Sequence, residues 1–280
     1  MSNRELDGTV TTEDGIPLRW WARIPMDSKG LVLVAHGFLE HSGRYEHVIA
    51  ALNDAGFATG RFDCRGHGVS GGVRAYTPRY RDYLRDLHLV REEIRPLAPD
   101  VPLFLLGHSQ GGLMVLAYAL DPLGGGIDGV VSLSPAVGFD ADIPAWKDIM
   151  GRLMSRLWPT LALDSGINPD TLTHVREAVE WRNNDPLIGT KATARWFTET
   201  LGAQARVQAA AAAWALPVLV MAAGEDALVD NPATKRFFDA LPVEDKTWRV
   251  WDGMYHELLH ETVQTRVEAA IVDWLIARVG

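Results

Sequence analysis

An apolar run, "VPLFLL", runs into Gly107-His108-Ser109-Gln110-Gly111, and a helical stretch, "GLMVLAYALDP", follows with no linker. This junction constrains the fold more than any other part of the sequence. A serine between two glycines, at the abrupt end of a strand and the start of a helix, is the pattern of a sharp turn that exposes a side chain at a sheet edge. The glycines let the chain turn tightly and let strand and helix pack closely. The pattern itself is short, and Gly68-Val69-Ser70-Gly71-Gly72 also carries it. Context separates the two copies. Ser70 follows "DCRGHG" and meets no helix start before Pro78, so it reads as a turn residue.

The rest of the chain alternates in the way such a turn requires. Apolar runs at 17–24, 31–37, 57–63, 101–107, 127–135, 216–224 and 246–253 read as strands. Helical periods fall at 45–56, 79–96, 112–122, 231–241 and 262–279. Gly56 reads as a C-cap, and Pro232 suits a first helical turn. Strands alternating with helices predict an α/β fold with a mostly parallel central sheet and helices on both faces. Between about 136 and 214 the alternation stops, and the segment is helix-like and rich in Trp, with Trp146, Trp158, Trp181, Trp196 and Trp214. It predicts an inserted helical cap or lid over a core made of 1–135 and 215–280. A long insertion without strands of its own is usually functional.

Composition narrows the function classes. The 280 residues carry a formal net charge of −9, which argues against nucleic acid as a partner. Hydrophobic residues at 47% provide for a substantial core. The single cysteine, Cys64, cannot form an internal disulfide, which fits a reducing compartment and points to the cytoplasm. "MSNRELDGTVTTEDG" lacks the apolar stretch of a secretory signal. The longest uncharged stretch, 207–224, is broken by Pro217, so a helix leading into a strand is expected there instead of a membrane span.

A serine hydroxyl needs a base within hydrogen-bond reach and a third group to orient that base. In this architecture the chain order is Ser, then acid, then His. After a late strand come Glu225, Asp226 and Asp230; after the last strand come His256 and His260. Asp226, just past the strand end, is the favoured acid. Asp230, beside Asn231-Pro232, equally suits a helix cap. His256 is the favoured base, because His260 is expected inside the closing helix. His36, His41, His47, His67, His88 and His174 read as structural or surface residues. The developing oxyanion needs two backbone N–H groups, predicted at Gln110 and at Phe38 in the loop after strand 31–37.

Together, "HGFLEHSGRY" (36–45), "DCRGHGVSGG" (63–72), "GHSQGG" (107–112), "GEDALVD" (224–230) and "YHELLHE" (255–261) make the chain resemble the monoacylglycerol lipase and lysophospholipase group of the α/β-hydrolase superfamily. The resemblance runs from about residue 15 to the C-terminus. It implies a serine esterase acting on lipid esters without a cofactor. It carries the nucleophile to Ser109, the acid to Asp226, the base to His256 and the oxyanion donors to Phe38 and Gln110. It also implies a polar role near a head group for Glu40 and Arg44, whose alternative is a loop-stabilising ion pair. The chain departs from the group at Gln110, where Met is usual, and at His260, which falls out of register with the group's second histidine. Outside "NNDPLI" (183–188) the cap matches loosely.

Three more substrate contacts are expected: His108 beside the serine, and Trp146 and Met150 in the cap. Residues 143–163 place Ile143, Trp146, Ile149, Met150, Leu153, Met154, Leu157 and Trp158 at near-helical spacing. That helix either packs its apolar face on the core, or lines an acyl tunnel and touches lipid surfaces transiently; the two are compatible. Two other classes compete. His256-Glu257-x-x-His260 matches a zinc-protease signature. Only Glu261, Glu268 and Asp273 follow as carboxylate ligands, and no Gly-x-x-His follows His260. A non-catalytic lipid-binding protein on the same fold would leave the assembled Ser, Asp and His without a purpose. Oligomeric state is not legible in the sequence.

Overall fold

The computed structural model describes residues 4–139 and 145–279, with backbone alone at 145–148. Eight strands form one sheet: β1 (Arg4–Thr11), β2 (Pro17–Ile24), β3 (Leu31–Ala35), β4 (Ala58–Phe62), β5 (Leu103–His108), β6 (Gly129–Leu133), and, after the insertion, β9 (Val218–Ala223) and β10 (Lys246–Trp251). Their spatial order is β1-β2-β4-β3-β5-β6-β9-β10. β1 and β2 run antiparallel at one edge, and the pairs from β4 to β10 are parallel.

The central strands read as unbroken apolar runs because both faces are covered. Every residue of β3, β5 and β9 is buried. Within β3, Val32 and Val34 face one way, toward α1 (Glu46–Asp54) and α8 (Gln264–Ile276), in a cluster with Ile49, Leu52, Val267 and Ile271. Leu31, Leu33 and Ala35 face the other way. They join Tyr83 and Leu87 of α2 (Tyr80–Ile94), Leu113 of α3 (Gln110–Leu120) and Phe237 of α7 (Asn231–Asp239). This two-residue alternation is the strand period expressed as two cores. The chain passes from β3 to β4 on one side and to β5 on the other. The carboxyl ends of β3 and β5 are therefore the point where strand order reverses, the usual place for a ligand in such sheets.

Between β6 and β9 the chain leaves the sheet and builds α4 (Ala145–Leu157), β7 (Ala162–Asp164), α5 (Arg176–Asn184), β8 (Lys191–Thr193) and α6 (Ala194–Ala210). The expectation that this stretch holds no strand is corrected, since β7 and β8 pair antiparallel. Each has three residues and β7 is wholly exposed, so neither shows an apolar pattern. β1 was also not expected. Only Val10 of its eight residues is buried, as fits a sheet edge. No helix among the described residues is long and apolar enough to cross a membrane.

The closing helix starts later than its periodicity implies, and His260 lies outside it, in a single 3-10 turn over Leu258–His260. Glu261 breaks the run. It is extended (φ −96°, ψ 168°), and its buried carboxylate accepts the N–H groups of Tyr255, Thr262 and His174 at 2.8–3.1 Å. A side chain that satisfies three backbone donors makes a loop of residues whose sequence alone reads as helical.

Candidate active site

Ser109 sits between β5 and α3 in a backbone conformation that L-residues rarely adopt, φ 55° and ψ −114°. Its N–H donates to Leu133 O at 2.9 Å, and its carbonyl accepts from Leu113 and Ala136, both at 3.0 Å. The flanking glycines are required by close approach. A methyl group at Gly107 would run into the carbonyl of Gly111, and one at Gly111 into the carbonyl of Ala35. Ser70 takes part in a turn instead: its hydroxyl donates to Asp63 O at 2.6 Å and accepts from Arg19 N–H at 2.9 Å.

Three distant side chains converge at the turn. The Ser109 hydroxyl lies 2.9 Å from His256 Nε2, and His256 Nδ1 lies 2.7 Å from Asp226 Oδ2. The Asp226 side chain has no exposed surface, and His256 is 4% exposed. The other oxygen of Asp226 accepts the N–H groups of Leu228 and Val229 at 2.9 and 3.1 Å, which fixes the carboxylate after β9. Its sequence rival Asp230 caps α7 by accepting Ala233 N–H at 2.9 Å. Burial alone would push the His256 pKa down, but the Asp226 charge and hydrogen bond outweigh it and raise the pKa above 6.5. In turn, burial pushes Asp226 up, and the facing imidazole more than offsets it, leaving the acid below its ordinary range. The geometry suits a base that removes a proton from Ser109 and is steadied as it becomes charged.

A cavity of about 790 Å³ opens beside these groups. Ser109, Phe38 and Gln110 border it, together with Phe139, Met150, Met154, Leu161 and Leu228. Asp164, Ser165 and Thr193 lie on its wall, and Glu40, His108, Arg182 and Glu257 supply a buried polar part of it. These four belong to one buried network. Glu40 accepts from Gly37 N–H and Tyr45 O–H, both at 2.6 Å, and pairs with Arg44. The Arg44 guanidinium donates to both oxygens of Glu257 at 2.9 and 2.7 Å, and Arg182 of α5 donates to Glu257 at 3.1 Å. His108 lies 3.1 Å from the Tyr45 hydroxyl and donates from Nε2 to the carbonyl of His256 at 3.2 Å. Burial would raise Glu257, yet the Arg44 charge dominates and holds it at about 2.

Of the expected substrate contacts, Glu40, His108 and Met150 reach the cavity wall. Arg44 does not. Its side chain has no exposed surface, so the ion-pair alternative describes it. The Trp146 side chain lies outside the described residues. The zinc signature is not assembled: His256 turns its two nitrogens to Ser109 and Asp226, while His260 Nε2 donates to Arg44 O at 3.1 Å. No helical turn aligns the two imidazoles, and among the described residues no cluster of three His, Cys, Asp or Glu could hold a metal. Sequence reasoning missed Arg182 and Trp196, and treated Glu257 only as a zinc-site base. Arg182 immediately precedes "NNDPLI", which was the one available signal for it.

The family model described as serine aminopeptidase, S33, matches residues 26–263. The chain belongs to this family. Among relatives of the S33 chain, a Mycolicibacterium smegmatis protein named monoacylglycerol lipase is 30% identical, over 90% of this chain and 89% of its own. An abhydrolase domain-containing protein of Dictyostelium discoideum is 31% identical over 96% of this chain, which spans only 28% of that longer relative. The solved structure of Paleococcus ferrophilus monoacylglycerol lipase superposes with a TM-score of 0.81 at 29% identity, covering 99% of this chain and 100% of that one. The S33 chain is thus an α/β-hydrolase of the monoglyceride-lipase-like group and a carboxylic ester hydrolase.

Proposed function

We propose that the protein hydrolyses monoacylglycerols through Ser109, His256 and Asp226. The observation that carries this reading is the Ser109–His256–Asp226 chain of contacts, 2.9 and 2.7 Å long, at the wall of the apolar cavity. His256 Nε2 takes the proton as Ser109 Oγ attacks the ester carbonyl, and Asp226 holds the imidazole in the right tautomer. The N–H groups of Phe38 and Gln110 stabilise the oxyanion. His256 then protonates the leaving alcohol, and water activated by the same base releases the fatty acid from the acyl-enzyme.

The buried polar network in the wall supports a neutral head group. Glu40 and Glu257 are matched by Arg44 and Arg182, so the network carries no net charge to balance an ionic ligand. This favours glycerol over a lysophospholipid head group. In this reading residues 136–214 act as a cap on a core of 1–135 and 215–280. On α4, Met150 and Met154 border the cavity, and Met150 is also exposed, as are Ile149, Leu153, Leu157 and, just past the helix, Trp158. One face thus guides the acyl chain, and the other meets the lipid surface that supplies it. The lone buried Cys64 fits a cytoplasmic location.

The test is a hydrolysis panel of monoacylglycerols, diacylglycerols, lysophospholipids and p-nitrophenyl esters of graded length. Ser109→Ala should lower kcat by at least about 10⁴-fold with the fold intact. Near-normal turnover in that variant would refute the mechanism. Activity confined to the shortest esters would leave a general esterase, and lipid binding without turnover a binding protein.

A further inference from the structure

Trp196 touches both residues that the mechanism makes oxyanion donors. It lies on α6 and is 5% exposed. Its indole stacks on the Phe38 ring with centroids 3.4 Å apart and planes 7° from parallel. Its Nε1–H donates to Gln110 Oε1 at 2.7 Å. Gln110 is only 2% exposed, so water cannot readily replace that bond.

The two donors sit on separate segments, one after β3 and one at the start of α3. Gln110 is held by the helix. Phe38 is not; it lies in a loop whose next residue, Leu39, has φ 61°, a costly conformation for a leucine. Glu40 anchors this loop from one side through Gly37 N–H, and the Trp196 ring anchors it at Phe38 itself. Trp196 is fixed in its turn. Thr193 caps α6 by accepting Trp196 N–H at 3.3 Å while donating to Ala75 O at 2.6 Å. Further along α6, Gln204 donates to Ala136 O at 2.9 Å, and the N–H of Ala136 donates in turn to Ser109 O at 3.0 Å.

We propose that Trp196 is a positioning residue that sets the spacing between the Phe38 and Gln110 N–H groups, so that a cap helix completes the oxyanion hole. The proposal rests on the oxyanion roles assigned above. Hydrogen-bond strength depends on both distance and direction, so a donor that drifts loses part of its effect without being lost. The side chain of Gln110 then has a task of its own: it is the acceptor that ties the α3 start to the cap.

The experiment compares Trp196→Phe, which keeps a ring on Phe38 and removes the N–H, with Gln110→Met, which removes the acceptor and keeps the backbone donor. Each is assayed on p-nitrophenyl octanoate beside the double variant, with binding of an alkyl boronic acid, whose tetrahedral adduct on Ser109 presents an anionic oxygen. Each single variant should lower kcat about ten-fold, less than the roughly 10²–10³-fold loss for removing a donor outright. KM should stay within about two-fold, and boronate affinity should fall with kcat. The double variant should be no slower than the slower single, because both remove one contact. Unchanged kcat in Trp196→Phe, multiplying losses in the double variant, or a change in KM alone would overturn the proposal. Labelling of Ser109 by a fluorophosphonate in the unmodified protein keeps the two readings apart. If that protein neither labels nor turns over, the catalytic reading fails and this one with it; if it does both and Trp196→Phe keeps its kcat, only the role of Trp196 falls.

Discussion

Replacing Arg44 with Met should destabilise the protein in a pH-dependent way. Arg44 binds two carboxylates, Glu40 and Glu257, whose side chains are 2% and 4% exposed. Methionine fills similar space but leaves Glu257 with Arg182 and the more distant His260, and Glu40 with Gly37 N–H, the Tyr45 hydroxyl and His108. Removing one partner of a buried ion pair costs about 3–5 kcal/mol. At this chain length about 2 °C of Tm follows each kcal/mol, so the expected drop is roughly 6–10 °C at neutral pH. The pH dependence follows from the direction of the shifts. In the native protein Glu257 is held at about 2, below its ordinary 4.5. Its contribution to stability is therefore complete above 4.5 and lost as pH falls toward 2. Without Arg44, burial is opposed by less positive charge, and the folded-state pKa of both carboxylates rises. The folded variant then takes up protons at a higher pH than the unchanged protein does, and its deficit shrinks as pH falls. Thermal unfolding followed by circular dichroism at about pH 8 and about pH 4 reads both effects. A Tm drop under about 2 °C, or a deficit of the same size at both pH values, would refute the reasoning.

Two further outcomes are expected. Since the pKa of His256 is raised above 6.5, kcat/KM should fall on the acid side with a midpoint above 6.5; Asp226→Asn should move that midpoint down and cut kcat by about 10⁴-fold. A native midpoint below 6.5 would contradict the Asp226–His256 pairing. The paired substitution Ile149→Glu and Leu157→Glu, on the exposed face of α4, should slow hydrolysis of monoolein in vesicles about ten-fold and leave p-nitrophenyl butyrate within about two-fold. Equal losses on both substrates would remove the lipid-surface role.

The parts of the site that were legible in the sequence are those encoded locally. The Ser109 turn needs a buried strand, two glycines and an immediate helix, and all three lie within about one helical turn of each other. Asp226 and His256 follow strand ends, which apolar runs mark well. Glu257 and Arg182 were opaque because their role depends on Arg44, which approaches from another part of the chain. The Trp196–Gln110 bond spans 86 residues and obeys no spacing rule. Among the elements, β1 escaped because its more buried positions, Leu6, Gly8 and Val10, hold only two apolar side chains between charged and polar ones. His260 was assigned to a helix because the tertiary hydrogen bonds of Glu261 override a helical pattern.

The insertion between β6 and β9 is tied to the rest of the molecule unevenly, and this bears on how such an enzyme can be altered. Leu172 O accepts Glu257 N–H at 2.8 Å, Thr173 donates to His260 O at 2.6 Å, and Arg182 completes the Glu257 pair. Residues 172–182 therefore hold the loop that carries His256, and a change there reaches the base directly. α4 packs against α6, with Ser155 and Thr198 sharing a hydrogen bond at 2.7 Å. Mutational tolerance should follow that division. Selection for a new chain length can work through α4 while the 172–182 segment stays fixed, so diversification and catalytic upkeep occupy separate stretches of one insertion.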